Sequence, residues 1–249
     1  MRETRIIMGM PVIVEIVDSS ADADAFEKVF DYFVSVDKRF STYKKESEIS
    51  QINRGEISKR EWSKDMKEIF ALAEETKKET AGYFDIQKPD GSIDPSGIVK
   101  GWAIRNAARI LDKEGFKNFY VDVGGDIETR GKNAEGREWS IGIRNPFKRE
   151  ENVKIIYPHG AGVATSGTYI RGNHIYNPHE PKKSIDNVVS LTVIGSDIYE
   201  ADRFATAAFA MGKEGIHFIE KLSGFEGYLI DTDGVATMTS GFAHYTKEK

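Results

Sequence analysis

The stretch Phe119-Tyr120-Val121-Asp122-Val123-Gly124-Gly125-Asp126-Ile127-Glu128-Thr129-Arg130 decides how this chain is built. Its first five residues alternate as a strand does, and the Gly-Gly-Asp that follows has the look of a dinucleotide-binding loop. Such a loop needs a third glycine and a helix behind it. Here residues 127–130 continue as a second strand, so a Rossmann fold is set aside and the paired glycines read as a turn packed close to a neighbour.

Outward from that turn, the second half of the chain is mostly strands. Residues 139–144, 153–157, 162–166, 169–176 and 188–194 have strand composition with turn residues between them, and residues 227–231 and 234–238 form a last hairpin. Residues 5–17 have strand composition too, with a break at Gly9 and Pro11 that reads as a bulge or an edge strand. Helical patterns cover residues 21–40, 63–81, 99–113, 198–211 and 213–222, the first with a stripe of Phe26, Val29, Phe30, Phe33 and Val34 expected to be buried. Residues 41–50 read as a polar loop. Helices mixed with mainly antiparallel hairpins predict an α+β fold. No stretch reads as a linker, so residues 1–249 are expected to form a single domain, with a faint echo of two related halves.

A chain of 249 residues that is 39% hydrophobic and 30% charged can bury a core without covalent staples, and it has no cysteine to make them. The absence of cysteine excludes disulfides, thiolate metal sites and a cysteine nucleophile. A net charge of −5 with no basic stripe argues against nucleic acid as the partner. No apolar run reaches membrane-spanning or signal-peptide length, so the sequence as it stands is expected to be cytoplasmic, with export or anchoring left open for a trimmed chain.

Three stretches could carry chemistry. Asp94-Pro95-Ser96-Gly97-Ile98-Val99-Lys100-Gly101 places a carboxylate, two glycines and an ammonium where a turn opens into a helix. A helix N-terminus with a lysine beside it suits phosphate, while the plain alternative is a capping turn with a solvated lysine. On the helix of residues 198–211, Asp202 and Thr206 are one turn apart and present a carboxylate and a hydroxyl to one side. Two oxygens suit Mg2+, which keeps waters and takes substrate phosphates, but Thr206 bonding back to its own helix is the alternative. The third stretch gathers Thr165, Ser166, Thr168 and Tyr169 around Gly167, followed by Arg171 and His174; the histidine is either a proton acceptor or a structural residue. A Ser-His-Asp hydrolase is excluded, since no Gly-x-Ser-x-Gly elbow is present.

Taken in order, Met8-Gly9, Ser41-Thr42-Tyr43, Ser47-Glu48-Ile49-Ser50, Tyr83-Phe84-Asp85, Asp94 to Gly101, Gly124-Gly125-Asp126, Thr165-Ser166-Gly167 with His174, and Ala201-Asp202 with Ala205-Thr206 resemble the ApbE family of FAD:protein FMN transferases. The resemblance runs from about Met8 to Gly212. It implies a Mg2+-dependent enzyme that takes FAD as substrate, attaches FMN to a threonine or serine of a partner protein and releases AMP. The implied acceptor is a flavoprotein subunit of a membrane redox complex of the Rnf or Na+-pumping type, and a homodimer is allowed. It further implies Mg2+ on Asp202, Thr206 and the Gly97 carbonyl, flavin and adenine contacts from Met8, Tyr43, Tyr83, Phe84, Asp85, Asp94, Lys100 and Tyr176, and catalytic roles for His174 and Asp202. A Mg2+-dependent FAD pyrophosphatase and a non-catalytic flavin-binding protein share these residues and stand as alternatives. The chain departs from the family pattern at Met10, where threonine is usual, at Asn177, where aspartate is usual, and at His179-Glu180-Pro181.

Overall fold

The structure is a computed structural model and describes residues 1–148, 150–168 and 175–247. The strands are β1 (Arg2–Ile7), β2 (Met10–Ile16), β3 (Phe119–Val123), β4 (Asp126–Arg130), β5 (Ile141–Arg144), β6 (Asn152–Ile156), β7 (Gly162–Gly167), β8 (Val188–Gly195), β9 (Glu226–Asp231) and β10 (Ala236–Met238). The helices are α1 (Ala23–Phe40), α2 (Glu48–Asn53), α3 (Lys64–Glu79), α4 (Ser96–Glu114), α5 (Ile198–Ala210) and α6 (Gly215–Glu220). Eight strands form one sheet in the order β1-β2-β3-β4-β7-β8-β9-β10, antiparallel at every pairing, and β5 with β6 forms a separate hairpin. The α+β expectation therefore holds.

Strand alternation sends side chains into two cores. On one face Val14, Val121, Val123, Leu191, Val193 and Leu229 pack with Phe30, Trp102 and Phe209 of the helices. On the other, Ile127, Val163, Ile194 and Ile230 pack with Ile141 and Ile156 of the small hairpin and with Phe242 near the C-terminus. Both faces of the central strands are thus covered, which is why β8 is buried along almost its whole length.

Several expectations are corrected. Residues 5–17 are not one bulged strand: β1 and β2 are a hairpin that turns at Met8 and Gly9, with φ of 56° and 73°. Two consecutive left-handed residues are what a two-residue hairpin turn requires, but a methionine in the first position hides the signal. Residues 41–50 are not all loop, since Ser47 caps the short helix α2 by accepting from Ser50 N. Val34 is 37% exposed, and Val36 takes the buried place on α1. Helix α4 begins at Ser96 rather than at residue 99, which puts Gly97 inside its first turn. The strand expected over residues 169–176 falls largely outside the described residues, and its last two, Ile175 and Tyr176, are not strand. Among the described residues no helix is long and apolar enough to cross a membrane.

Candidate active site

Helices α4 and α5 touch along two matched pairs of residues, each four apart. Gly101 N–H donates to Asp202 Oδ2 at 2.7 Å, and Thr206 Oγ1 donates to the Gly97 carbonyl at 3.4 Å. The pairs run in opposite senses, so the helices are antiparallel where they meet. Glycine makes the approach feasible: a Cβ on Gly101 would stand 2.6 Å from Asp202 Cβ and 2.8 Å from the Ile198 carbonyl oxygen. Glycine at residue 97 likewise leaves room for Thr206 Cγ2 and the Phe84 ring.

Lys100, between the two glycines, turns to a pair of buried carboxylates. Its Nζ is 2.5 Å from Asp126 Oδ2 and 3.6 Å from Asp202 Oδ1. Asp126 is the first residue of β4, and its Oδ1 accepts from Thr165 N on β7 at 3.0 Å. Burial pushes the Asp202 carboxyl above the ordinary range; Lys100 opposes the rise and Asp126 adds to it.

Above this floor a cleft opens to solvent. Tyr83, Phe84, Asp85, Asp94 and Tyr176 line it together with Gly97, Lys100, Asp202 and Thr206, and Thr165, Ser166 and Gly167 line it as well. The Tyr83 ring meets the His179 ring edge-on at 4.6 Å, and Tyr176 OH donates to the Gln87 carbonyl at 3.2 Å. Burial, with the negative charge of Asp85 and Asp94 near it, raises the Tyr176 phenol. For Asp94, burial works to raise the carboxyl, but hydrogen bonds from Lys88 and Ser96 N–H outweigh it and hold the group below its usual range. Asp94 is ionised at neutral pH, an acceptor facing the cleft.

Of the twelve residues to which the resemblance gives a site role, nine therefore line one cleft. Met8, in the β1–β2 turn, and Tyr43, 96% exposed, do not line the cleft. His174 lies outside the described residues. Lys88 and Asp126 have no role in the sequence-based expectation. Asp126 carries a signal, three charged residues alternating with Ile127 and Thr129 along one strand, but such alternation ordinarily marks a solvated face.

The oxygens at the floor are a carboxylate, a hydroxyl and a main-chain carbonyl. All are hard donors, a set that fits Mg2+ with waters and phosphate oxygens completing it.

Glu128, two residues along β4, joins the sheet to this floor. Its Oε2 accepts from Ile198 N at 2.7 Å at the start of α5, and its Oε1 is 2.5 Å from Arg130 Nη1. Burial pushes its carboxyl from 4.5 to about 7, against the pull of Arg130 and the Ile198 N–H. A raised carboxyl favours the folded state while it is protonated, so that contribution is present below about pH 4.5 and is lost as pH rises through about 7. Glu128→Gln cannot ionise. Its stability relative to the parent is expected to improve by about 3 kcal/mol between pH 4.5 and pH 8, measured by urea unfolding, whereas a pH-independent difference would contradict this assignment.

The ApbE family model matches residues 8–88 and 86–229. The FAD:protein FMN transferase of Salmonella typhimurium is 32% identical over 165 residues, which is 62% of this chain and 47% of that protein. The FAD:protein FMN transferase of Vibrio cholerae is 35% identical over 135 residues, 51% of this chain and 40% of the relative. These matches thus span less than half the length of either curated relative. Among solved structures, the flavin transferase ApbE from Vibrio cholerae superposes with a TM-score of 0.86 at 24% identity over 98% of each chain. The ApbE protein of Thermotoga maritima gives the same score at 20% identity, covering 100% of this chain and 99% of the other. At those identities the likeness establishes the fold.

Proposed function

This chain belongs to the ApbE family, and on that premise we propose that its cleft binds FAD and transfers the FMN half to a hydroxyl of a partner protein, releasing AMP. The observation that carries the reading is the joint at which Asp202 and Thr206 of α5 meet Gly97 and Gly101 of α4 beside Lys100. It gathers hard oxygen donors and one ammonium at the floor of a cleft with aromatic walls. Asp202, Thr206 and the Gly97 carbonyl would hold Mg2+, which when bound neutralises pyrophosphate charge and eases departure of the AMP phosphate.

The chain's own groups do the rest. Lys100 offsets charge on the pyrophosphate. Tyr83, Phe84 and Tyr176 offer ring faces and edges to the flavin or the adenine, and Asp94 accepts from a ring N–H or a ribose hydroxyl. The acceptor's hydroxyl oxygen attacks the FMN-side phosphorus; a new P–O ester bond forms, and the bond from that phosphorus to the bridging oxygen breaks. AMP leaves with the electron pair, and the hydroxyl proton passes to the His174 imidazole or to a carboxylate beside the metal site. The acceptor is a threonine- or serine-bearing subunit of a membrane redox complex, as the family resemblance suggests. Residues 1–249 act as one domain in this reading.

Incubated with FAD, Mg2+ and such an acceptor, the protein is expected to yield an acceptor heavier by one FMN, with AMP in equal amount, measured by intact-mass spectrometry and chromatography. An unmodified acceptor at saturating FAD would overturn transfer. Free FMN and AMP without any acceptor would instead make water the attacking group.

A further inference from the structure

Asp126 has no part in the chemistry above, yet it holds the cleft's ammonium. The Asp126 and Asp202 side chains are 2% and 4% exposed and that of Lys100 is 19% exposed, so the three charges interact where water screens them little. Asp202 spends one oxygen, Oδ2, on the Gly101 N–H, and its other oxygen, Oδ1, faces Lys100. That second oxygen is the one a cation would take. Lys100 and a cation therefore compete for Asp202 Oδ1, and Lys100 lies 1.1 Å nearer to Asp126, at 2.5 Å against 3.6 Å.

Asp126 is fixed independently of this contest. It pairs with Val123 across the β3–β4 turn, and its Oδ1 is held by Thr165 N–H. We propose that Asp126 is a positioning residue that holds the Lys100 ammonium off Asp202 and so keeps the oxygens of Asp202, Thr206 and Gly97 open to a divalent cation. Without its charge, Lys100 closes on Asp202 Oδ1 and occupies the ligand. The proposal rests on the metal site of the preceding reading, but it needs no flavin and no acceptor.

Mn2+ serves as the probe, titrated into the full chain without flavin and followed through the paramagnetic resonance signal of the free ion. Asp126→Asn keeps an oxygen for Thr165 N–H and loses the charge, and it is expected to weaken Mn2+ binding about tenfold or more, the range found for partners that orient metal ligands. Removing the competitor as well, in Asp126→Asn with Lys100→Met, is expected to return the affinity to within about threefold of the parent, on the same scale. A purely structural Asp126, or one that itself ligates the metal, leaves the double variant weak, and that result overturns the proposal. So does parental affinity in Asp126→Asn, or a parent that binds no Mn2+. Should Asp126→Asn fail to fold, Asp126→Ser is titrated with and without Lys100→Met: recovered Mn2+ binding in the double variant is expected, and a double variant as weak as Asp126→Ser alone contradicts the competition. Failure of FMN transfer with the Mn2+ series intact would sink the flavin reading and leave this one standing.

Discussion

Asp202→Ala is expected to lose FMN transfer by about a thousandfold or more while remaining folded. The carboxylate contributes in two ways. It is the one charged oxygen donor in the set that would hold Mg2+, and a metal's stabilisation of phosphoryl charge is worth several kcal/mol, each 1.36 kcal/mol being about tenfold in rate. It also accepts from Gly101 N–H at 2.7 Å, so it fixes α5 against α4. Replacing it removes a buried, desolvated charge together with its partner interaction, and the two effects on stability oppose one another. The loss should therefore appear in kcat with little change in melting temperature. A variant that transfers FMN within tenfold of the parent would remove Asp202 from the site.

Gly101→Ala should harm both stability and activity, although alanine is the better helix former by about 1 kcal/mol. The added methyl would meet Asp202 Cβ and the Ile198 carbonyl at distances no side chain tolerates, and both neighbours belong to the backbone-proximal part of α5. Neither can swing aside. Overpacking costs about 1–3 kcal/mol, and two rigid contacts place this case near the top, so the net loss is about 2 kcal/mol, or roughly 4–8 °C in melting temperature for a chain of this size. Because α4 and α5 must part to relieve the clash, the Asp202 and Thr206 oxygens also separate from Gly97, and transfer should fall along with stability. An unchanged or raised melting temperature would show that the helices do not meet as described.

Much of this joint is legible in the sequence itself. The i to i+4 spacing of Asp202 and Thr206, and of Gly97 and Gly101, is a local property, and local periodicity reads directly from the order of residues. That the two spacings face each other across about a hundred residues is not local; it follows from how the sheet carries the helices, and only the ordered family pattern points to it. The burial of Asp126 and Glu128 is hidden for a related reason. A period of two sorts residues onto two faces without saying which face is inside, and here a charged face is inside, satisfied by Lys100, Thr165 N–H, Ile198 N–H and Arg130. The β1–β2 turn escapes a reading by composition because Met8 takes a left-handed conformation that its side chain does not advertise. The motif alone suggests Tyr43 as a ligand contact, and in the folded chain its ring is in solvent, away from the cleft lining.

The proposed transfer requires a divalent cation, which Asp202, Thr206 and the Gly97 carbonyl would hold. Crystals grown with FAD and Mn2+ and measured at a wavelength where manganese scatters anomalously test it most directly. A single strong peak among Asp202, Thr206 and the Gly97 carbonyl, touching the pyrophosphate, is the expected result; FAD bound in the cleft with the peak elsewhere, or with none, would contradict it.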